Sequence, residues 1–161
     1  VPDGQISADD PRAADVRALL QRHLDFNRSN TPPEHIHALD VDGLADPAIT
    51  FVSFRQDGEL LGVGALKRLD RQHAELKSMH TAQAARGRGV GRAILGHLLG
   101  IARERGCRQV SLETGTMPEY APARAMYASA GFRPCGPFGG YQPSPSNSFM
   151  TLRLDGPDPA G

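Results

Sequence analysis

Between residues 84 and 99 the chain reads AARGRGVGRAILGHLL, with Gly87, Gly89 and Gly91 at every second position and an apolar helical pattern directly after them. No other stretch constrains the fold as much. A strand must arrive, the backbone must pass through conformations open to glycine, and a helix must leave with the positive end of its dipole facing the turn. The flanks agree. Upstream, HAELKSMHT (73–81) sets Ala74, Leu76 and Ser78 against Glu75, Lys77 and Met79 with the period of two expected of a strand. Downstream, Val90, Ile94, Leu98 and Ile101, with Leu95, Leu99 and Ala102 beside them, form one helix face that Gly106 ends. QVSLET (109–114) then reads as a short buried strand, so residues 73–114 form a strand–helix–strand unit suited to a parallel crossover.

The remaining elements follow from local signals. A short strand near Gln5 to Ala8 precedes DDPRAADVRALLQRHLDF, where Asp9 or Asp10 caps a helix, Pro11 sits in the first turn, and Val16, Leu19, Leu20, His23 and Leu24 fall at helical spacing. TPPEHIHAL predicts a second, shorter helix capped by Thr31 and running to about Leu39. AITFVSF (48–54) and ELLGVGALKRL (59–69) flank Asp57-Gly58, a pair that favours the positive-φ positions of a hairpin turn. YAPARAMYASA (120–130) reads as a helix closed by Gly131, and SFMTLRL (148–154) as a last strand. The expected class is therefore α/β (α+β), a mixed, mostly antiparallel twisted sheet flanked by about four helices, in the order β-α-α-β-β-β-α-β-α-β.

A chain of 161 residues fits one domain with a real core, expected over 1–154, followed by a flexible tail over 155–161. Lysine plus arginine and aspartate plus glutamate balance at 18 each, so any anion site must be local and no global field draws in nucleic acid or membrane. Cys107 and Cys135 make no disulfide framework, and no apolar run approaches the ~18 residues of a membrane span. A cytoplasmic protein is the expectation.

Three anion-binding turns compete for Arg86-Gly87-Arg88-Gly89-Val90-Gly91. The phosphate loop of nucleotide hydrolases needs Lys-Ser/Thr after its last glycine, and here Arg92-Ala93 follows. The dinucleotide fingerprint needs a glycine at position 92, which is Arg. What remains is a metal-independent pyrophosphate cradle of backbone N–H groups, with Arg86, Arg88 and Arg92 adding charge. A merely flexible turn with solvated arginines is the plain alternative.

These residues resemble the acetyl-CoA signature of the GNAT acetyltransferase superfamily, Arg/Gln-x-x-Gly-x-Gly/Ala. A second segment, ARAMYASAGF (123–132), is similar to the family's later helix, A-x-x-x-Tyr-x-x-x-Gly-Phe. The element order matches the GNAT fold over about residues 5–154. PPEHIHALD, GALKRLD, ELKSMHT, SLETGTM and CGPFGGY further resemble a bacterial subgroup labelled indole-acetic-acid-type or small-molecule acetyltransferases. The resemblance implies acetyl-CoA as co-substrate and no metal. It implies that Met79, His80 and Thr81 pair with the pantetheine arm and that the turn from Arg86 through Gly87, Arg88, Gly89, Val90 and Gly91 to Arg92 holds the pyrophosphate. Many members carry an asparagine after the next strand, where this chain has Thr114-Gly115-Thr116-Met117.

Acetyl transfer requires a neutral amine, and a free alkylammonium titrates near ~10, so a base must take a proton directly or through water. Glu75 looks like the glutamate of histone-type members, with the same spacing to the signature, and Glu113 resembles the strand glutamate of ribosomal-protein-type members. We rank Glu75 first, while ion pairing with Lys77 or an arginine remains open for either. Tyr127 matches the family tyrosine that protonates the leaving thiolate and touches the cofactor. Tyr120, Arg124 and Tyr127 fall at i, i+4 and i+7, on one helix face. A backbone N–H near Met79 is placed to meet charge on the thioester oxygen. An acyl-cysteine route finds no activated thiol in the sequence, and His35-x-His37 lacks further metal-ligand spacing.

The acceptor side is expected from NTPPEHIHALD and GPFGGYQPSPSN, making His35, His37, Glu75, Tyr120 and Tyr141 the substrate-binding candidates. The function expected is N-acetylation of a primary amine of a small molecule or amino acid by direct attack in a ternary complex. Alternatives are protein lysine or N-terminal acetylation and a non-catalytic acyl-CoA sensor. Relatives are often dimers, so a homodimer is the partner expectation beside the small amine.

Overall fold

In the computed structural model, which describes residues 4–154, the strands are β1 (Gln5–Ala8), β2 (Ile49–Gln56), β3 (Glu59–Arg68), β4 (His73–Thr81), β5 (Gln109–Gly115), β6 (Arg133–Cys135) and β7 (Asn147–Arg153). They form a seven-stranded sheet in the order β1-β2-β3-β4-β5-β7-β6. Every neighbouring pair is antiparallel except β4 and β5, the parallel pair expected of the crossover. The helices are α1 (Ala14–Asn30), α2 (Val41–Leu44), α3 (Val90–Glu104) and α4 (Ala121–Ser129). The expected tail lies outside the described residues.

Because strand side chains alternate between faces, the sheet supports two cores. α3 lays Val90, Ile94, Leu95, Leu98, Leu99 and Ala102 on the face that carries Leu66, Leu76, Val110, Leu112 and Met150. α1 sets Val16, Leu19 and Leu20 with Leu44 on the opposite face, over Phe51, Val63 and Ala65. Each fully covered leucine or valine is worth about 1.5–3 kcal/mol of transfer energy, so the α3 stripe read in the sequence anchors the helix behind the glycine turn. The β2–β3 hairpin turns through Asp57 and Gly58 at φ of 51° and 81°, as the pair predicts.

Local reading misjudged four places, one of them the one-turn α2, which it passed over. The acids before α1 do not cap it: the N-cap is Ala13, without a side-chain hydrogen bond. Asp9 instead accepts from Ser53 Oγ and from Arg55 Nε at 3.0 Å, and Arg55 also holds Asp15 at 2.6 Å, fastening β2 to the start of α1. The helix expected from Thr31 to Leu39 is a single 3₁₀ turn at Pro33–His35, with extended backbone at Ile36. Two prolines leave few donors for a helical ladder, and the segment is held from outside, where Asn147 Nδ2 donates to the His35 carbonyl at 2.9 Å. Finally, β6 is an unforeseen strand. It has only three residues and contains Pro134, so it shows no alternation, and it survives as an edge strand beside β7.

Candidate active site

β4 and β5 pair only from His73↔Gln109 to Leu76↔Leu112, although β4 continues to Thr81 and β5 to Gly115. Beyond Leu76 the two strands part. On its other side β4 stays joined to β3, but the register slips between Val63 and Ala65, and Ser78 takes a φ of 55°. That is a bulge in a non-glycine residue, a conformation with a steric cost. Ser78 is 8% exposed, and its Oγ is buried with no hydrogen-bond partner. Into the gap opens a cleft of about 570 Å³ lined by both strands, α1, α4 and the glycine turn.

One end of this cleft is the turn. Gly87 and Gly89 have φ of 77° and 84°, and Gly89 is the N-cap of α3, where no side chain caps the helix. The first amides of α3 therefore face the cleft without competition from a capping oxygen. Gly91 lies close to its surroundings: a Cβ there would come within 3.2 Å of Met126 Sδ and 3.6 Å of Thr81 Oγ1. Met79, His80, Thr81, Arg86, Gly87, Gly89, Val90, Gly91 and Arg92 all line the cleft. Arg88 does not. Its guanidinium reaches out to Gln56 Oε1 at 3.2 Å, away from the place expected of it at the anion. Arg92 is held by Ser129 Oγ at 2.9 Å.

Tyr127, on α4, lines the cleft beside the turn and packs its ring edge-on to Phe132. It is 5% exposed, and desolvation raises the pKa of its phenol. Its hydroxyl has no hydrogen-bond partner among the described residues. Between the ends of the cleft, His80 on β4 meets His23 on α1, Nδ1 to Nδ1 at 3.2 Å. Burial lowers their pKa values to about 3 and about 4, so both rings are neutral at neutral pH.

The other end joins distant segments. Glu75 is buried, receives a 3.2 Å hydrogen bond from Lys77 Nζ and a 2.5 Å one from Tyr141 Oη, and so is engaged by both partners. Tyr141 also bonds Lys77 at 2.8 Å and stacks on His37 with ring centroids 4.7 Å apart. It does not line the cleft: it packs behind the wall, on Phe138 and Phe149. Its hydroxyl is seated on the buried Glu75–Lys77 pair. Glu113 accepts from Asn147 Nδ2, and His37 Nδ1 lies 4.0 Å away. Desolvation raises the Glu113 pKa, against the lowering by Asn147 and Lys77. Tyr120 also lines the cleft, but its hydroxyl is shared between Thr31 at 2.9 Å and Asn27 at 3.0 Å. Arg124, expected on the same face, instead donates to the carbonyls of Gly115 and Met117.

His35 and His37 both line the cleft without converging, since His35 Nδ1 is on Ser146 Oγ at 2.9 Å while the His37 ring faces Tyr141. Sequence reading missed Ser78, Asn27, Thr31 and Asn147 as site residues. Nothing local marks them, because each matters through a neighbour that only the fold supplies.

The Acetyltransferase (GNAT) family model matches residues 15–132, and the chain belongs to that family; it is an acetyltransferase. It is 43% identical over 149 residues to the uncharacterized N-acetyltransferase YsnE of Bacillus subtilis (strain 168), covering 92% of this chain and 99% of that one. It is 34% identical over 157 residues to the IAA acetyltransferase of Azospirillum brasilense, covering 96% of this chain and all of the other. Among solved structures, a candidate acyl-CoA N-acyltransferase from Klebsiella pneumoniae subsp. pneumoniae superposes with a TM-score of 0.76 at 26% identity, over 94% of this chain and 97% of that one.

Proposed function

We propose that the protein transfers the acetyl group of acetyl-CoA to the primary amine of a small molecule, by direct attack while both substrates are bound. One observation carries this reading: a single cleft runs from the uncapped amides of α3, between the parted strands, to Glu113. Backbone amides and Arg86 suit a pyrophosphate, and the parted edge of β4 suits an amide-bearing arm. The amine, which arrives as an ammonium, gives one proton to Glu113, directly or through water. Its nitrogen then bonds the thioester carbon, charge on the oxygen is met by the backbone N–H of Met79, and the C–S bond breaks. Tyr127 gives its phenol proton to the sulfur, and the second proton of the attacking nitrogen restores the phenol through water, leaving the amide, the CoA thiol and one proton on Glu113. A raised phenol pKa keeps that proton in place at working pH.

Glu113 takes precedence over Glu75 as the base in this reading. It has a raised pKa and no cation within bonding distance, whereas Lys77 and Tyr141 occupy Glu75. Neither Cys107 nor Cys135 lines the cleft, and burial pushes the Cys135 thiol up, so direct attack is favoured over an acyl-cysteine.

Thermal unfolding with acetyl-CoA, against ATP and NAD, tests the donor. At a hundredfold Kd a ligand adds about 2.7 kcal/mol, a shift of several degrees. A shift with NAD instead would overturn the reading. Tyr127→Phe tests the chemistry: kcat should fall by roughly 10²-fold while the acetyl-CoA shift persists, and unchanged turnover removes Tyr127 from the mechanism.

A further inference from the structure

The two ends of the cleft carry opposite charge. Arg86 and Arg92 line the turn end, whereas Glu75, Glu113 and Glu119 line the other against a single ammonium, Lys77. Lys77 is already balanced. Its side chain is 7% exposed, its Nζ donates to Glu75 and Tyr141, and the Tyr141 ring centroid lies 5.6 Å away. Arg124 is turned onto the carbonyls of Gly115 and Met117 and does not line the cleft. Near Glu113 the neighbouring groups are the Asn147 amide and His37, whose Nδ1 lies 4.0 Å away and whose pKa burial and Lys77 lower. His35 is bonded to Ser146. Among the described residues at this end, Glu113 is thus a carboxylate without a cation of its own, and no free guanidinium or ammonium is at hand for an acceptor carboxylate. The surrounding wall includes Phe26, Ile36 and Tyr120, which suit a hydrocarbon body.

Resting on the reading that the acceptor is a small primary amine, we propose that the acceptor end selects a cationic amine bearing no carboxylate, an alkyl- or arylalkyl-amine or a diamine, and rejects amino acids. An incoming ammonium supplies the charge that Glu113 lacks. An α-carboxylate would sit one carbon from the reacting nitrogen, close to Glu113 in a poorly solvated cleft, where like charges repel strongly.

The test uses acceptors that share an amine and differ in the acid: phenethylamine, phenylalanine and phenylalanine methyl ester, then butane-1,4-diamine and ornithine. CoA thiol release is followed at pH 8, above the ordinary histidine range near ~6.5. The decarboxylated amines should exceed their amino acids in kcat/KM by at least tenfold, with the ester siding with the amine. Equal or better use of the amino acids overturns the proposal and leaves acetylation of small amines standing. An ester as poor as the acid overturns it too, since bulk would then explain the preference. If acetyl-CoA shifts the melting temperature but no amine of either kind is acetylated, the small-amine reading fails and takes this inference with it.

Discussion

At the turn end of the cleft the lining groups come largely from one stretch, residues 79 to 92, and many are backbone amides. The acceptor end draws Glu75 and Lys77 from β4, Glu113 from β5, His35 and His37 from the segment after α1, and Asn147 from β7. A backbone cradle needs only that glycines occupy fixed positions, so its specification is local. A convergent set of side chains needs the whole sheet to be in register before any member has its partner. The turn end should therefore tolerate changes elsewhere in the molecule, while the acceptor end should respond to each substitution in its network in a different way.

The two carboxylates give the largest expected effects and the sharpest form of this contrast. Glu113→Gln retains an oxygen for Asn147 and removes only the proton acceptor, so kcat should fall by about 10²–10³-fold with the melting temperature kept. Glu75→Gln leaves Lys77 as an uncompensated buried cation, which costs roughly 3–5 kcal/mol, so the melting temperature should drop well before kcat does. Paired rate and unfolding measurements decide it. A stable, inactive Glu75→Gln beside an active Glu113→Gln would exchange the two roles.

What could be read in advance follows the same division. The strands β3, β4 and β5 and helix α3 carry their own periodicity, and the spacing of Gly87, Gly89 and Gly91 announces the turn before any fold is known. Glu75 became a candidate through its likeness to a family glutamate at the same spacing to that turn, and Glu113 and Tyr127 through the resemblance of their own segments to the family. The partners of the two carboxylates were not, because the Tyr141 bond to Glu75 joins residues 66 positions apart and the Asn147 bond to Glu113 spans 34. The misread helix at Thr31–Leu39 belongs to the same class: its His35 carbonyl is met by the Asn147 side chain of β7, a fact absent from its own composition. Arg88 shows the converse limit, since motif spacing assigns a backbone position but not the direction of a long, exposed side chain.

A smaller effect is expected at the turn itself. Gly89 has φ of 84°, where a Cβ costs about 1–2 kcal/mol. Gly89→Ala should lose that much stability or shift the first amides of α3 to relieve it. In the second case KM for acetyl-CoA rises by roughly tenfold, the equivalent of about 1.4 kcal/mol, while KM for the amine stays put. A change in amine KM of the same size would break the picture of two separately built ends.

The smallest effect concerns the junction between the ends, where His80 and His23 meet. Their depressed pKa values of about 3 and about 4 mean that the folded protein holds both neutral, so their contribution is present above the unfolded value near ~6.5 and is lost as pH falls from there toward 4. The other shifted groups act elsewhere or with the opposite sign. Asp9 and Asp15 are lowered from 3.8 and lose stability only below the histidine window. Glu113 is raised, so its protonation favours the folded state as pH falls and partly masks the histidines. His37 and His73 are lowered by burial and add to the same acid limb. Melting temperatures should therefore be recorded from pH 7.5 to 4.5 in a Glu113→Gln background, with and without His23→Asn. The background protein should lose a few degrees across that range, and the histidine variant should lose fewer. Identical slopes would mean that the pair carries no buried proton deficit, and that α1 is not tied to β4 through these rings.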